Sequence, residues 1–161
     1  MNTKHFIKGS LLIAVFASLM AFINVSSKAS VLPKVYADSL DISKYKGKIV
    51  VINFWASWSK ASRAENKNVV RVYEKYRQNS KLVFVSVSLD TDTKAWKAAI
   101  EEDEMAWPDH ICDLKKYSSP IAAQYGVTTL PKLILIDKTG KTHLSGTKMS
   151  DIESAIDALM K

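Results

Sequence analysis

Val51-Ile-Asn-Phe-Trp-Ala-Ser-Trp-Ser-Lys-Ala-Ser-Arg-Ala-Glu65 joins an apolar run to the start of a helical pattern. From Ile49 to Trp55 only Asn53 interrupts the apolar residues, as expected of a strand covered on both faces. Beyond it Ala64, Val69, Val72, Tyr73 and Tyr76 recur at helical spacing and predict an amphipathic helix from Ser62 to about Arg77. Between the two lies a short turn with serine at positions 59 and 62, straight after Trp58. Ser62-Arg63-Ala64-Glu65 has the spacing of a capping box, in which serine and the glutamate three residues on satisfy the first helical N–H groups, and Ser59 is a second candidate cap.

Working outward, Leu82 to Leu89 is rich in β-branched residues and reads as a second central strand. Asp92 or Thr93 caps a helix carrying Trp96, Ala99 and Ile100 as far as about Glu104. Ala106 to Leu114 reads as short and irregular. Ser119-Pro120 is a helix entry, with serine as cap and proline as first residue. Leu133 to Ile136 is a strand, and Asp137-Lys-Thr-Gly140 turns it into a hairpin partner from Lys141 to Leu144. Ser150 is expected to cap a last helix with Ile152, Ala155, Ile156 and Leu159 on one side. Strands alternating with helices imply a parallel portion of sheet, and the hairpin adds an antiparallel edge.

The first residues differ in kind. Lys4, His5 and Lys8 form a basic head, and Gly9 to Ser27 follow without charge. Ser27-Lys28-Ala29 supplies small residues for a cut before Ser30, so residues 1–29 are expected to be a secretory signal, with an uncleaved anchor as the alternative. Lys4 and Lys8 would then stay cytoplasmic and the rest of the chain outside, in the periplasm or cell envelope. Residues 30–161 make one domain of ordinary size. The formal net charge of +7 falls to +4 without Lys4, Lys8 and Lys28, and the other lysines are scattered, which argues against a nucleic-acid surface. Cys112 is the only cysteine, so an internal disulfide is excluded and packing must hold the fold. Three histidines and one cysteine fall short of a metal site, so neither metal nor cofactor is expected.

Four stretches carry a resemblance. They are Asn53-Phe-Trp-Ala-Ser-Trp58 before the turn, Arg63-Ala-Glu65 after it, Tyr125-Gly-Val-Thr-Thr-Leu-Pro131, and Leu135-Ile-Asp-Lys-Thr-Gly-Lys141. In this order they resemble the thioredoxin-like superfamily, specifically its TlpA/ResA-like group of exported thiol-disulfide oxidoreductases. The resemblance implies an α/β thioredoxin fold, a central mixed sheet flanked by helices. It also implies an insertion, about Asp92 to Tyr125, between the second central strand and the terminal hairpin. In that group the turn reads Trp-Cys-x-x-Cys, and Ser59 and Ser62 stand where the cysteines would. Glu65 matches an acid held near the cysteine pair, and Pro131 matches a cis proline facing it. Trp58, Thr129, Leu130 and Pro131 would line a groove for an extended segment of a partner protein. Asn53 replaces the aspartate that other thioredoxins bury, and Lys132 departs from the hydroxyl residue usual after the proline.

The departure bears on chemistry. Thiol–disulfide exchange needs a thiolate, stabilised at a helix N-terminus, and a second sulfur to resolve the mixed disulfide. A serine hydroxyl ionises far less and forms no disulfide, and no histidine adjoins it in sequence to act as base. The expectation is a thioredoxin-like envelope protein that is redox-inactive through this turn and binds a partner, touching a membrane only through an uncleaved leader. Two alternatives are carried. One is an oxidoreductase of cell redox homeostasis whose cysteines were replaced. The other is a one-thiol redox role for Cys112, with His110 two residues before it on the same side of any strand.

Overall fold

The computed structural model describes residues 34–35 and 39–161, so the expected leader lies outside the described residues. Strand β2 (Ile49–Trp55) is buried along all seven of its residues. It is flanked on one side by the parallel strand β3 (Leu82–Ser88) and on the other by the antiparallel strand β5 (Lys132–Ile136). β4 (Asp109–Cys112) and the two-residue β1 (Lys34–Val35) extend the parallel part, and β6 (Thr142–Gly146) closes the other edge. The order across the sheet is β1-β4-β3-β2-β5-β6. A run buried on both faces must lie in mid-sheet, and β2 does.

Helices cover both faces. α1 (Lys60–Tyr76), α2 (Thr93–Glu102) and α4 (Met149–Leu159) bury Val69, Val72, Trp96, Ala99, Ile152 and Ile156 against the face that carries Val51 and Trp55. Each aliphatic side chain fully buried there contributes about 2 kcal/mol. On the other face, Ile121 and Ala122 of the short α3 (Pro120–Gln124) pack with Leu40, Tyr45, Ile52 and Phe54. This is the α/β arrangement that the resemblance implied. The segment read as an insertion comprises α2, β4, a 3-10 turn at Lys116–Ser118 and α3.

Three local expectations are corrected. Ala106 to Leu114 is not irregular throughout, since Asp109–Cys112 is a strand paired in parallel with β3. Trp107-Pro108 and the polar Asp109 and His110 hide it in sequence, yet Trp107, His110, Ile111 and Cys112 are all buried. The cap of α1 is Ser59, not Ser62: Ser59 is extended, with φ −89° and ψ 104°, and its side chain accepts from Ser62 N. Ser62 is therefore already inside the helix, and no capping box forms between Ser62 and Glu65. Nor does Ser150 cap α4, whose N-cap position is Lys148, without a side-chain cap. That role passes to Glu65, whose Oε1 accepts from Met149 N at 2.6 Å.

Candidate functional site

β2 and β3 run parallel, and β5 returns antiparallel with Lys132 opposite Phe54. The loops after β2, β3 and β4 therefore leave the same end of the sheet, where the loop before β5 arrives. Open α/β sheets gather ligand-binding groups at this end. Ser59, Asp90, Tyr117 and Leu130 belong to those four loops. A cleft of about 380 Å³, lined by Leu40, Tyr45, Val50, Ile136 and Gly140, lies at the opposite end of β2.

The serine turn is tightly bonded. Ser62 Oγ donates to Ser59 Oγ at 2.9 Å, and Ser62 N donates to the same oxygen at 3.2 Å. Ser59 N donates to the Ala56 carbonyl and the Ser59 carbonyl accepts from Arg63 N. Ser62 is fully buried and Ser59 half-buried. One oxygen thus caps the helix and accepts its partner's hydroxyl. No base reaches either serine through any hydrogen bond among the described residues, so neither is set up as a nucleophile.

Two buried polar groups fix the turn from below, and the sequence reading missed both. Asp90, just past β3, is 1% exposed. Its carboxylate accepts from Ser57 N at 2.9 Å, Ser57 Oγ at 2.6 Å and Ser88 Oγ at 2.6 Å. Charge-assisted bonds of this kind are roughly twice as strong as neutral ones, and they lock the residue before Trp58. On the helix side Asn53 Nδ2 donates to Asn66 Oδ1 at 3.0 Å, and Asn66 Nδ2 donates to Asp103 Oδ2 at 2.7 Å. Arg63 Nε donates to the same Asp103 oxygen at 2.7 Å. The chain Asn53–Asn66–Asp103–Arg63 ties β2, the first turns of α1 and the end of α2 together. Asp90 was legible only as an acid at a strand end, and Asn66 and Asp103 only as polar residues in helical runs.

Glu65 does not serve the turn. Besides Met149 N it accepts from Asn68 Nδ2 at 3.1 Å. Trp58 is 48% exposed and meets Tyr117 edge-on, with ring centroids 6.3 Å apart. The Leu130–Pro131 peptide is cis, Thr129 is exposed, and Leu130 packs partly on the core.

The single thiol lies elsewhere. Cys112 is fully buried in β4, and its Sγ donates to the Asp90 carbonyl at 3.5 Å. Burial pushes this thiol up from its ordinary range, away from the reactive thiolate. His110 lies on the same face of β4, stacked on Trp107 at 5.4 Å, with Nε2 3.1 Å from the Met105 carbonyl. A carbonyl only accepts, so Nε2 carries the proton. Burial lowers the His110 pKa to about 4, which keeps the ring neutral. Among the described residues no cluster of three or more His, Cys, Asp or Glu could hold a metal ion. None of their helices is long and apolar enough to cross a membrane.

The profile of a thioredoxin-like family matches residues 47–142. The thiol-disulfide oxidoreductase ResA of Bacillus thuringiensis is 29% identical over 102 residues, 63% of this chain and 56% of that protein. The thioredoxin-like protein YneN of Bacillus subtilis is 28% identical over 116 residues, 70% of this chain and 65% of that protein. The chain spans little more than half the length of the ResA proteins it matches. Among solved structures, a thiol-disulfide oxidoreductase from Bacteroides fragilis shares 32% identity at a TM-score of 0.66, covering 71% of this chain and 82% of its own. A secreted disulfide oxidoreductase of Mycobacterium tuberculosis, at 19% identity and a TM-score of 0.63, covers 74% of this chain and 88% of its own and shares the fold.

Proposed function

This chain belongs to the thioredoxin-like family, and from that premise we propose that it binds a protein partner at the serine turn without exchanging electrons there. Exchange begins when a thiolate attacks a disulfide sulfur, and it ends when a second thiol displaces the first. Ser59 and Ser62 supply neither sulfur. The observation that carries the reading is the 2.9 Å hydroxyl–hydroxyl bond between them, which occupies the place of the redox pair and consumes the donor of Ser62. What remains intact is the frame: Asp90 beneath Ser57, the exposed Trp58, and Thr129 and Leu130 on the loop before β5. An extended partner segment would lie along Thr129 and Leu130 with Trp58 as its apolar wall.

The uncharged stretch behind a basic head supports export to the periplasm or cell envelope as part of the same proposal. The relatives' activity in thiol–disulfide exchange would come to this chain only through Cys112, whose burial opposes it. The test is reduction of insulin disulfides by the purified chain and by C112A, with dithiothreitol as electron donor. Neither protein is expected to accelerate the reaction over dithiothreitol alone. Turnover by the wild-type chain that disappears in C112A would transfer the role to that thiol.

A further inference from the structure

Trp58 and Tyr117 are the only large hydrophobic side chains exposed among the described residues, at 48% and 44%. Far apart in sequence, they meet edge-on, and Lys116 Nζ lies 5.2 Å from the centre of the Trp58 ring. The backbone that brings them there is unusual. Leu114 and Lys116, neither of them glycine, hold φ values of 62° and 53°, a left-handed conformation that costs any residue with a side chain free energy. Leu114 packs partly on the core, so the loop is anchored while Lys116 and Tyr117 are lifted onto Trp58. A fold that sustains two such residues to expose an aromatic pair points to a surface with a use.

Charge selects the partner. The three segments that meet here, residues 57–61, 114–119 and 128–132, bring Lys60, Lys116 and Lys132 to the surface and contain no acidic residue. Among the described residues, the acids of the loops after β3 and β4 are buried or hydrogen-bonded. Asp90 and Asp113 are buried, and the exposed Asp92 accepts from Lys94 N and Ala95 N as the cap of α2. We infer that Trp58, Tyr117 and Lys116 form a docking platform for an acidic, extended segment of another protein, with an apolar or aromatic residue seated against the exposed surface of the two rings. This rests on the binding reading above and adds the chemistry of the occupant.

Acrylamide quenching tests it, because Trp55, Trp96 and Trp107 are buried and the quencher reports chiefly on Trp58. Two short synthetic peptides are compared, one with a central phenylalanine flanked by aspartates and one with asparagines in their place. The acidic peptide should shield Trp58 and bind about fivefold more tightly than the neutral one, with a margin that shrinks as salt is added. K116Q should narrow that margin and K116E abolish it, while Y117A should weaken both peptides. Equal binding of the two peptides would overturn the acidic preference and leave the binding reading standing. Failure of either peptide to shield Trp58 would overturn both. Shielding that rises with the chain's own concentration would make a second copy the occupant and overturn the inference.

Discussion

The start of α1 and the end of β4 divide between them what a redox thiol needs. At the start of α1 there is a helix N-terminus, partial exposure and a rigid frame, but the atoms are the oxygens of Ser59 and Ser62. In β4 there is a sulfur, but Cys112 is wholly buried, its thiol pushed up by that burial, and its neighbour His110 is held neutral. Each region lacks one of the two requirements, sulfur at the first and access at the second. Reactivity requires both at one atom. Asp90 touches each region: its carboxylate holds Ser57, and its carbonyl accepts from Cys112.

The comparison breaks most sharply if sulfur is put where the frame already exists. S59C/S62C should form an internal disulfide and gain insulin reduction from an undetectable level, by about a hundredfold or more over background. Thiol titration before and after reduction, with the insulin assay, checks both parts. A double variant that stays reduced in air and idle would show that the frame has drifted from redox geometry.

The β4 side has a pH signature. His110 titrates near 4 in the folded chain and near 6.5 when exposed, so between those values the unfolded chain binds more protons. Stability is therefore full above pH 6.5 and declines as the pH falls toward 4, by about 3 kcal/mol. Urea unfolding across that range, compared with H110Q, measures it. A variant with the same acid slope would remove His110 as its cause.

Smaller effects separate the shared residue from the lone thiol. D90A leaves Ser57 N–H and Ser88 without their acceptor and should cost about 2 kcal/mol, with greater quenching of Trp58 as its support loosens. C112A should cost about 1 kcal/mol through the cavity it leaves and should not change peptide binding. In the native chain Cys112 should resist Ellman's reagent and react once urea unfolds the protein.

The order of elements was legible in the sequence because the apolar periods of β2, β3, α1 and α4 are long and clean. The start of α1 lies two residues before the expected Ser62, since either serine at 59 or 62 satisfies a capping pattern and only backbone angles decide between them. Glu65 was assigned to its own helix because local spacing is visible in sequence and the distant Met149 N–H is not. β4 is hidden in the sequence because it has four residues, begins with Asp109-His110 and follows a proline. Asp90, Asn66 and Asp103 act through contacts separated by tens of residues, so no local pattern marks them. The pairing of Trp58 with Tyr117 is of the same kind.

The double duty of the Ser59 oxygen sets the cost of any single exchange in the turn. Sulfur accepts hydrogen bonds poorly, so exchanging Ser59 alone for cysteine would loosen the first turn of α1 by about 1 kcal/mol while presenting a solitary thiol with nothing to resolve it. Exchanging Ser62 alone would sink an unmatched sulfur beneath that turn. Each single exchange is a loss, and only the two together would supply both an attacking and a resolving sulfur.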